Sequence, residues 1–566
     1  MVTNKYIGKI IAILMAVAVL LCFAAMIWSD ELSEAMGGKA VSMEYEDELF
    51  NTDEIISIDI LMDEEEWETM LSNALSEEYY ECDVVVNGVT FKNVGIRPKG
   101  NTSLSSIAMD PDTDRYSLKL EFDHFESGQT CFGLDKLILN NNYADATNMK
   151  EAIVYDMFQY LDADASLYNY ASVSVNGEYW GIYLALEGVE QSFMLRNYGT
   201  QDGELYKPDS MEMGGGDDDK GSFGGFPGGD FDFSEMPDME GFDPENMDFG
   251  DMTPPSGIGG GFGGGPGGGP PEDFDPSEMG GFSFGGGGAN LNYTDDDLDS
   301  YQTIWDGAIT DSGDKDHKRV VKALKNISEG TDLEEYMDID NILKYMAVHT
   351  FVVNMDSLSG SMSHNYYLYE YKGQLNIIPW DYNLSLGGMG NEGEDATSTI
   401  NDAIDTPFSS TEFFDALLEN EEYLEKYHEY LNMLVEEYVY GGRFDEVYNR
   451  IRSQIDELVE TDPTAFYEYD EYLEAADLLK EVIYLRAESV KGQLDGSIPS
   501  TDSGQKEDSS ALIDATGIDL KVMGSMNMGG EGEGGFGPGS EERDGENHGN
   551  GGPGGEKPEG DFPERP

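Results

Sequence analysis

Three stretches of this 566-residue chain bring together residue types that could manage phosphate and a metal ion. In "VGIRPKGNTS", residues 94–103, a strand pattern runs into a turn bearing Arg97 and Lys99 beside Gly100, and two cations with backbone amides and small hydroxyls suit phosphate oxygens. In "VVNMDSLSGSMSHNYYLYEY", Asp356 ends an apolar stretch and Asn365 opens the next strand pattern. In "IIPWDYNLSLGG", Pro379 ends ladder pairing, so Asp381 should emerge at a sheet margin, fenced by Trp380 and Tyr382. The set supplies one potential base and two oxygen ligands for a hard cation, and Mg2+ suits such ligands. Each piece also has a plainer reading: a basic hairpin tip, an Asp capping a turn, an Asn satisfying backbone groups.

The elements that must position these residues follow from periodicity. "IISIDILM" and "ECDVVVNGVTFKNVGIRPKG" alternate as strands, and Asn87-Gly88 marks a hairpin. Between them "DEEEWETMLSNAL" reads as a helix with an acidic first turn. "RYSLKLEF" is another strand. "NMKEAIVYDMFQYL" sets Ile153, Met157 and Phe158 on one helical face, and "ASVSVNGEYWGIYLALEGV" makes a second hairpin around Asn176-Gly177. A Lys-Gly turn at 372–373 pairs the strands on either side of it. Helices follow, with apolar residues every three to four positions through "STEFFDALLENEEYLEKYHEYLNMLVEEYV" and "YLEAADLLKEVIYLRAESVKGQL". The expected class is α+β, with an antiparallel sheet and a helical C-terminal part.

Composition bounds the function. With 114 acidic residues against 32 Lys and Arg, the formal charge is −82, which opposes binding to nucleic acid or an anionic membrane and attracts cations or a basic protein. Three cysteines, one of them in the apolar N-terminus, leave at most one disulfide in the body, and the six scattered histidines give no zinc pattern. The acids Asp110, Asp112, Asp114 and Glu121 follow a calcium-loop spacing, but Arg115 stands where that loop needs Gly. Lys5 and Lys9 precede an apolar run over 10–28, so residues 1–30 are expected to be a signal peptide or a single N-terminal membrane anchor and the body to be exported. Residues 211–290 and 498–566 are rich in Gly, Asp, Glu and Pro and are expected to be disordered, an insert and an acidic tail.

The blocks "GIRPKGNTS", "RYSLKLEF", "FGLDKLILNNNYADATNMKEAIVYDMFQYL", "VNGEYWGIYLALEGVEQSFMLRNYG", "GELYKPD", "HNYYLYEYKGQLNIIPWDYNLSLGG" and "RAESVKGQL" resemble the CotH kinase family, atypical protein kinases named for a spore coat protein. The resemblance runs from Glu54 to Leu494, broken by the insert. It implies a kinase-like two-lobed fold, with residues 54–210 as the nucleotide-binding part and 291–497 as the catalytic and helical part. It also implies ATP with Mg2+ and phosphorylation of protein Ser or Thr. Carried across residue by residue, Asp356 resembles the catalytic-loop Asp and Asp381 the metal-binding Asp, here followed by Tyr382 and Asn383. Asn365 would be the second metal ligand. Lys119 lies where a phosphate-pairing lysine belongs, with Glu151 as its partner. Arg97 and Lys99 would supply charge in place of a glycine-rich loop, Glu187 would lie near the adenine, and Lys207 would reach the nucleotide. The acidity suggests a basic, Ser-rich protein substrate, on a cell surface or in a spore coat. A non-catalytic surface or coat binding protein on the same fold is the alternative, and transfer to a non-protein acceptor is a third reading.

Overall fold

The computed structural model describes residues 41–208, 286–389 and 396–526. Its first half is built on short strands whose side chains alternate. In β1 (Ile56–Leu61), Ile56, Ile58 and Ile60 are buried while Ser57 and Leu61 face out. β2 (Tyr80–Val86) and β3 (Val89–Lys99) join at Asn87-Gly88, and β6 (Tyr168–Val175) and β7 (Glu178–Glu187) join at Asn176-Gly177. All four turn residues have positive φ, as a two-residue hairpin requires.

With β4 (Ser117–Glu121) and β5 (Lys136–Asn140), these strands close into a barrel in the order β1-β2-β3-β4-β5-β7-β6. Every neighbouring pair is antiparallel except the closing one, where β1 runs parallel to β6 with Ile58 opposite Val173. An antiparallel sheet was the expectation. A ring with an odd number of strands cannot alternate direction all the way round, so one parallel seam is forced. The barrel interior is an apolar core of its own, including Val84, Ile96, Leu118, Leu120, Leu137, Leu139 and Val173.

The helical part packs on the outside of that barrel. Ile138, Leu184 and Leu186 point outward from β5 and β7 into a second, larger core shared with helices Lys150–Tyr160, Ile339–Val352, Arg443–Glu460 and Tyr469–Asp495. The helix Lys150–Tyr160 is buried from Lys150 to Phe158, on every face rather than one, because it lies between the two parts. A three-stranded sheet in the order β10-β9-β8 completes this half: β8 (Glu204–Tyr206), β9 (Tyr366–Tyr371) and β10 (Gln374–Pro379).

Order extends further than composition suggested. Ahead of residue 54, a helix over Glu44–Glu48 buries Tyr45 completely. Behind 497, the chain folds through a helix at Asp502–Glu507 and a 3-10 turn at Leu520–Met523, with Met523 fully buried. The expectation of disorder from 498 is therefore corrected as far as 526. Ile513, Ile518 and Leu520 pack around Ile400 and Ala515, and that spaced apolar content is what holds the segment down. The N-terminal apolar run and most of the insert lie outside the described residues. The last five residues of the expected disordered insert, 286–290, instead form a turn, anchored where Tyr366 Oη donates to the Ala289 carbonyl at 2.5 Å. Among the described residues, no helix is long and apolar enough to cross a membrane. Cys82 and Cys131 are both buried and free, and Arg115, from the calcium-like loop, is buried in an ion pair with Asp462 at 2.5 Å.

Candidate active site

The barrel's outer face supplies one wall of a cleft. Along β3, Val94, Ile96 and Pro98 are buried while Arg97 and Lys99 alternate to the other side. Lys99 Nζ donates to Asn140 Oδ1 at 3.0 Å, and Asn140 Nδ2 donates to Glu151 Oε2 at 2.9 Å. Burial pushes the Lys99 ammonium below its ordinary range, and Lys207 and Arg97 add to that push while Asp381 and Glu151 oppose it. Burial also raises the Glu151 carboxyl to about 8, with the Asp381 charge adding to the shift and Asn140 and Lys99 opposing it.

Here the structure redistributes two expected roles. Lys99, rather than Lys119, faces Glu151. Lys119 pairs in register with Arg97 on β3 and Ile138 on β5, two positions short of Lys99 and Asn140. Its charge acts on the carboxylates of Glu121 and Glu190 instead. Arg97 turns to the outer edge, where its guanidinium pairs with Glu77 and lies 5.3 Å from the Tyr79 ring.

The helical part supplies the opposite wall. Helix Ile339–Val352 ends at Val353 with positive φ, and the loop after it holds Asp356, which is 8% exposed. Both carboxylate oxygens of Asp356 are engaged: His364 Nε2 lies 2.9 Å from Oδ1, and Asn365 Nδ2 donates to Oδ2 at 3.1 Å. In the β9–β10 hairpin Tyr366 is opposite Pro379, so Asn365 and Asp381 leave the same end of the sheet side by side. Asp381 sits at φ 60. Burial raises its carboxyl and Asp356 adds to that, while Lys99, Lys207 and His364 pull it down.

The aromatic fence is structural support for that acid. Trp380 meets Tyr367 edge to face at 5.3 Å and has Lys99 Nζ 5.6 Å from its ring. Tyr382 is fully buried against Phe158, and its hydroxyl lies 3.2 Å from His349 Nδ1. The other His349 nitrogen lies 2.7 Å from Ser359 Oγ, and burial pulls the ring down to about 3, so it is neutral. His349 thus ties the loop after Asp356 to the residue after Asp381. Asn354 adds a second tie, its Nδ2 donating to the Asp381 carbonyl at 3.3 Å.

Sequence reasoning missed His364, His349, Asn140 and Asn354. Only the "HN" pair ahead of β9 carried a local signal; the others act through contacts distant in sequence.

Two further expected residues divide. Lys207 follows β8 with Nζ 6.0 Å from the Tyr367 ring, and its charge acts on Asp381 and Lys99. Glu187 ends β7 fully buried, and its carboxylate accepts from Arg196 Nε at 2.9 Å, Arg196 Nη2 at 2.5 Å, the Tyr45 hydroxyl at 2.6 Å and the Leu167 amide at 3.1 Å. That side chain is committed to the fold and has no acceptor capacity to offer an adenine.

The donor set fits a hard cation bound together with phosphate. Among the described residues no group of three or more His, Cys, Asp and Glu could hold a metal. Mg2+ bound for phosphate chemistry needs only one or two carboxylates, keeping waters and phosphate oxygens as its other ligands. Asp381 supplies a carboxylate and Asn365 an amide oxygen, and a cation bound beside the raised carboxyls of Asp381 and Glu151 would favour their ionised forms.

A family model described as CotH kinase protein matches residues 96–249 and 277–490, covering most of the chain and every residue of this cleft. No curated protein matches. With the matched span carrying Lys99 and Glu151 on one wall and Asp356, Asn365 and Asp381 on the other, the chain belongs to the CotH kinase protein family.

Proposed function

We propose that the protein is an atypical protein kinase that transfers the γ-phosphoryl group of ATP to a Ser or Thr hydroxyl of a protein substrate. The barrel acts as the nucleotide-binding lobe and the helical part as the catalytic lobe. The observation that carries this reading is the convergence in one cleft of Lys99 and Glu151 from the barrel side with Asp356, Asn365 and Asp381 from the helical side.

Lys99 binds phosphate oxygens, with its charge kept near Glu151 by the Asn140 bridge. Asp381 and Asn365 would hold Mg2+, which would neutralise charge on the phosphates. Asp356 orients the attacking hydroxyl and takes its proton as the new O–P bond forms and ADP leaves. His364 and Asn365 fix the direction of that carboxylate. Lys207, whose charge reaches Asp381, adds positive charge for the departing ADP.

The net charge of −82 favours a basic substrate, and a Ser-rich one supplies acceptors. The basic flank and apolar run at 5–28 favour an exported, membrane-anchored or secreted protein acting at a cell surface or in a spore coat. The test is transfer of labelled phosphate from ATP by the full chain to basic and acidic Ser peptides, with Mg2+ and with chelator. Metal-dependent transfer favouring the basic peptide is expected. No transfer, together with no nucleotide-dependent rise in melting temperature, would overturn the kinase reading in favour of a binding protein.

A further inference from the structure

Beyond residue 490, where the family match ends, the chain turns back on itself and returns to the cleft. After helix Tyr469–Asp495, Ile498 N donates to the Gly492 carbonyl at 2.9 Å, and the chain runs to the 3-10 turn Leu520–Met523. From there it is wedged between two loops. On one side lies the loop that leads into the helix carrying Glu151: Ala146 N donates to the Met523 carbonyl at 3.2 Å, and Lys150 Nζ to the Gly524 carbonyl at 3.4 Å. On the other lies the loop that follows Asp381: Met526 N donates to the Gly388 carbonyl at 3.0 Å, and Leu520 packs on Gly387.

The seat is tight and specific. Met523 is fully buried, and Gly524 has φ +84 with its Cα so close to the opposite backbone that a β-carbon would lie 2.5 Å from the Ala144 oxygen. The two loops otherwise share a hydrogen bond from Asn383 Nδ2 to the Tyr143 carbonyl at 2.8 Å. The helix and the Asp381 loop also meet where Tyr382 packs edge to face on Phe158 at 5.4 Å, and the bonds from the third segment brace the outer ends of both loops against relative sliding.

We infer that residues 520–526 are a positioning clasp, in which Met523, Gly524 and Met526 hold the Glu151 helix and the Asp381 loop at the separation that phosphate and cation require. This inference rests on the phosphoryl-transfer reading for its catalytic meaning. Met523, Gly524 and Met526 are positioning residues, acting through Ala146, Lys150 and Gly388.

The experiment uses the full chain with two variants, Gly524→Val, which cannot take the seat, and Met526→Pro, which deletes the donor to Gly388. Amide hydrogen exchange and the KM and kcat for ATP with Mg2+ are the readouts. In Gly524→Val, exchange across 144–152 and 382–388 should quicken roughly ten- to a hundredfold while β2 and β3 amides hold, and KM should rise about tenfold with a smaller change in kcat. In Met526→Pro the change should confine itself to 382–388. If Gly524→Val also frees the barrel amides, Met526→Pro decides. Unchanged exchange at 382–388 in Met526→Pro, or freed loops with unchanged KM and kcat, would overturn the clasp. A wild-type chain that transfers no phosphate while the variants still free their loops would instead remove the kinase reading and leave the mechanical tie standing.

Discussion

Glu187 and Glu151 are both carboxylates buried where the barrel meets the helical part, yet they are kept in opposite electrostatic conditions. At the Glu187 end, a guanidinium, a phenol and a backbone amide saturate the carboxylate. At the Glu151 end, Asn140 is the direct side-chain donor, and burial, with repulsion from the nearby Asp381 added, pushes the carboxyl up to about 8. A buried carboxylate with all its partners is costly to strip of one of them; a carboxyl raised by burial and a neighbouring acid keeps its proton until an incoming cation favours the charged form. The contrast separates a structural junction from the end of the cleft where chemistry is proposed.

The largest expected effect is on the saturated side. Glu187→Ala leaves Arg196 buried without its partner and should cost about 3–5 kcal/mol of stability, read as a lower urea midpoint with the cleft residues unaltered. A loss under about 1 kcal/mol would erase the contrast. On the other side, Lys99→Met should keep the fold and lower transfer by about 10²–10³-fold.

The pH dependence of stability sharpens the comparison further. The Glu151 carboxyl ionises near 4.5 when the chain is unfolded and near 8 when it is folded, so between those values the folded protein holds the extra proton. Its stabilising contribution is whole below about pH 4.5 and is lost as pH rises to about 8. Glu151→Gln should therefore raise metal-free stability at pH 8 over wild type by about 1–3 kcal/mol and narrow that difference at pH 5, measured by denaturant titration. Equal gains at both pH values would mean that Glu151 is not held protonated. The smallest effect belongs to Lys119→Met, expected to change transfer by no more than about twofold. A loss matching that of Lys99→Met would restore Lys119 to the phosphates.

What was legible in the sequence is what local chemistry dictates. Asn87-Gly88, Asn176-Gly177 and Lys372-Gly373 announce turns because positive φ is a property of the residues themselves. Pro379 announces where Asp381 leaves the sheet because proline cannot continue a ladder. Asp356 and Asn365 were legible as a pair, and a hydrogen bond joins them. The choice between Lys99 and Lys119 was not legible, because it depends on the β3–β4–β5 register. Neither was the saturation of Glu187, set by Tyr45 and Arg196 from elsewhere in the chain. The folded segment 498–526 was hidden by its resemblance in composition to the Gly-rich tail, although its few apolar residues are spaced to pack.

The central claim is that one cleft holds both the cation site and the base, on separate carboxylates. The most direct measurement is ATP affinity of the full chain as Mg2+ is varied, with phosphate transfer followed in parallel, for wild type, Asp381→Asn and Asp356→Asn. The account predicts that Asp381→Asn abolishes the metal dependence of ATP binding, whereas Asp356→Asn keeps that dependence and loses transfer. Metal-dependent binding that survives in Asp381→Asn, or transfer that survives in Asp356→Asn, would contradict it.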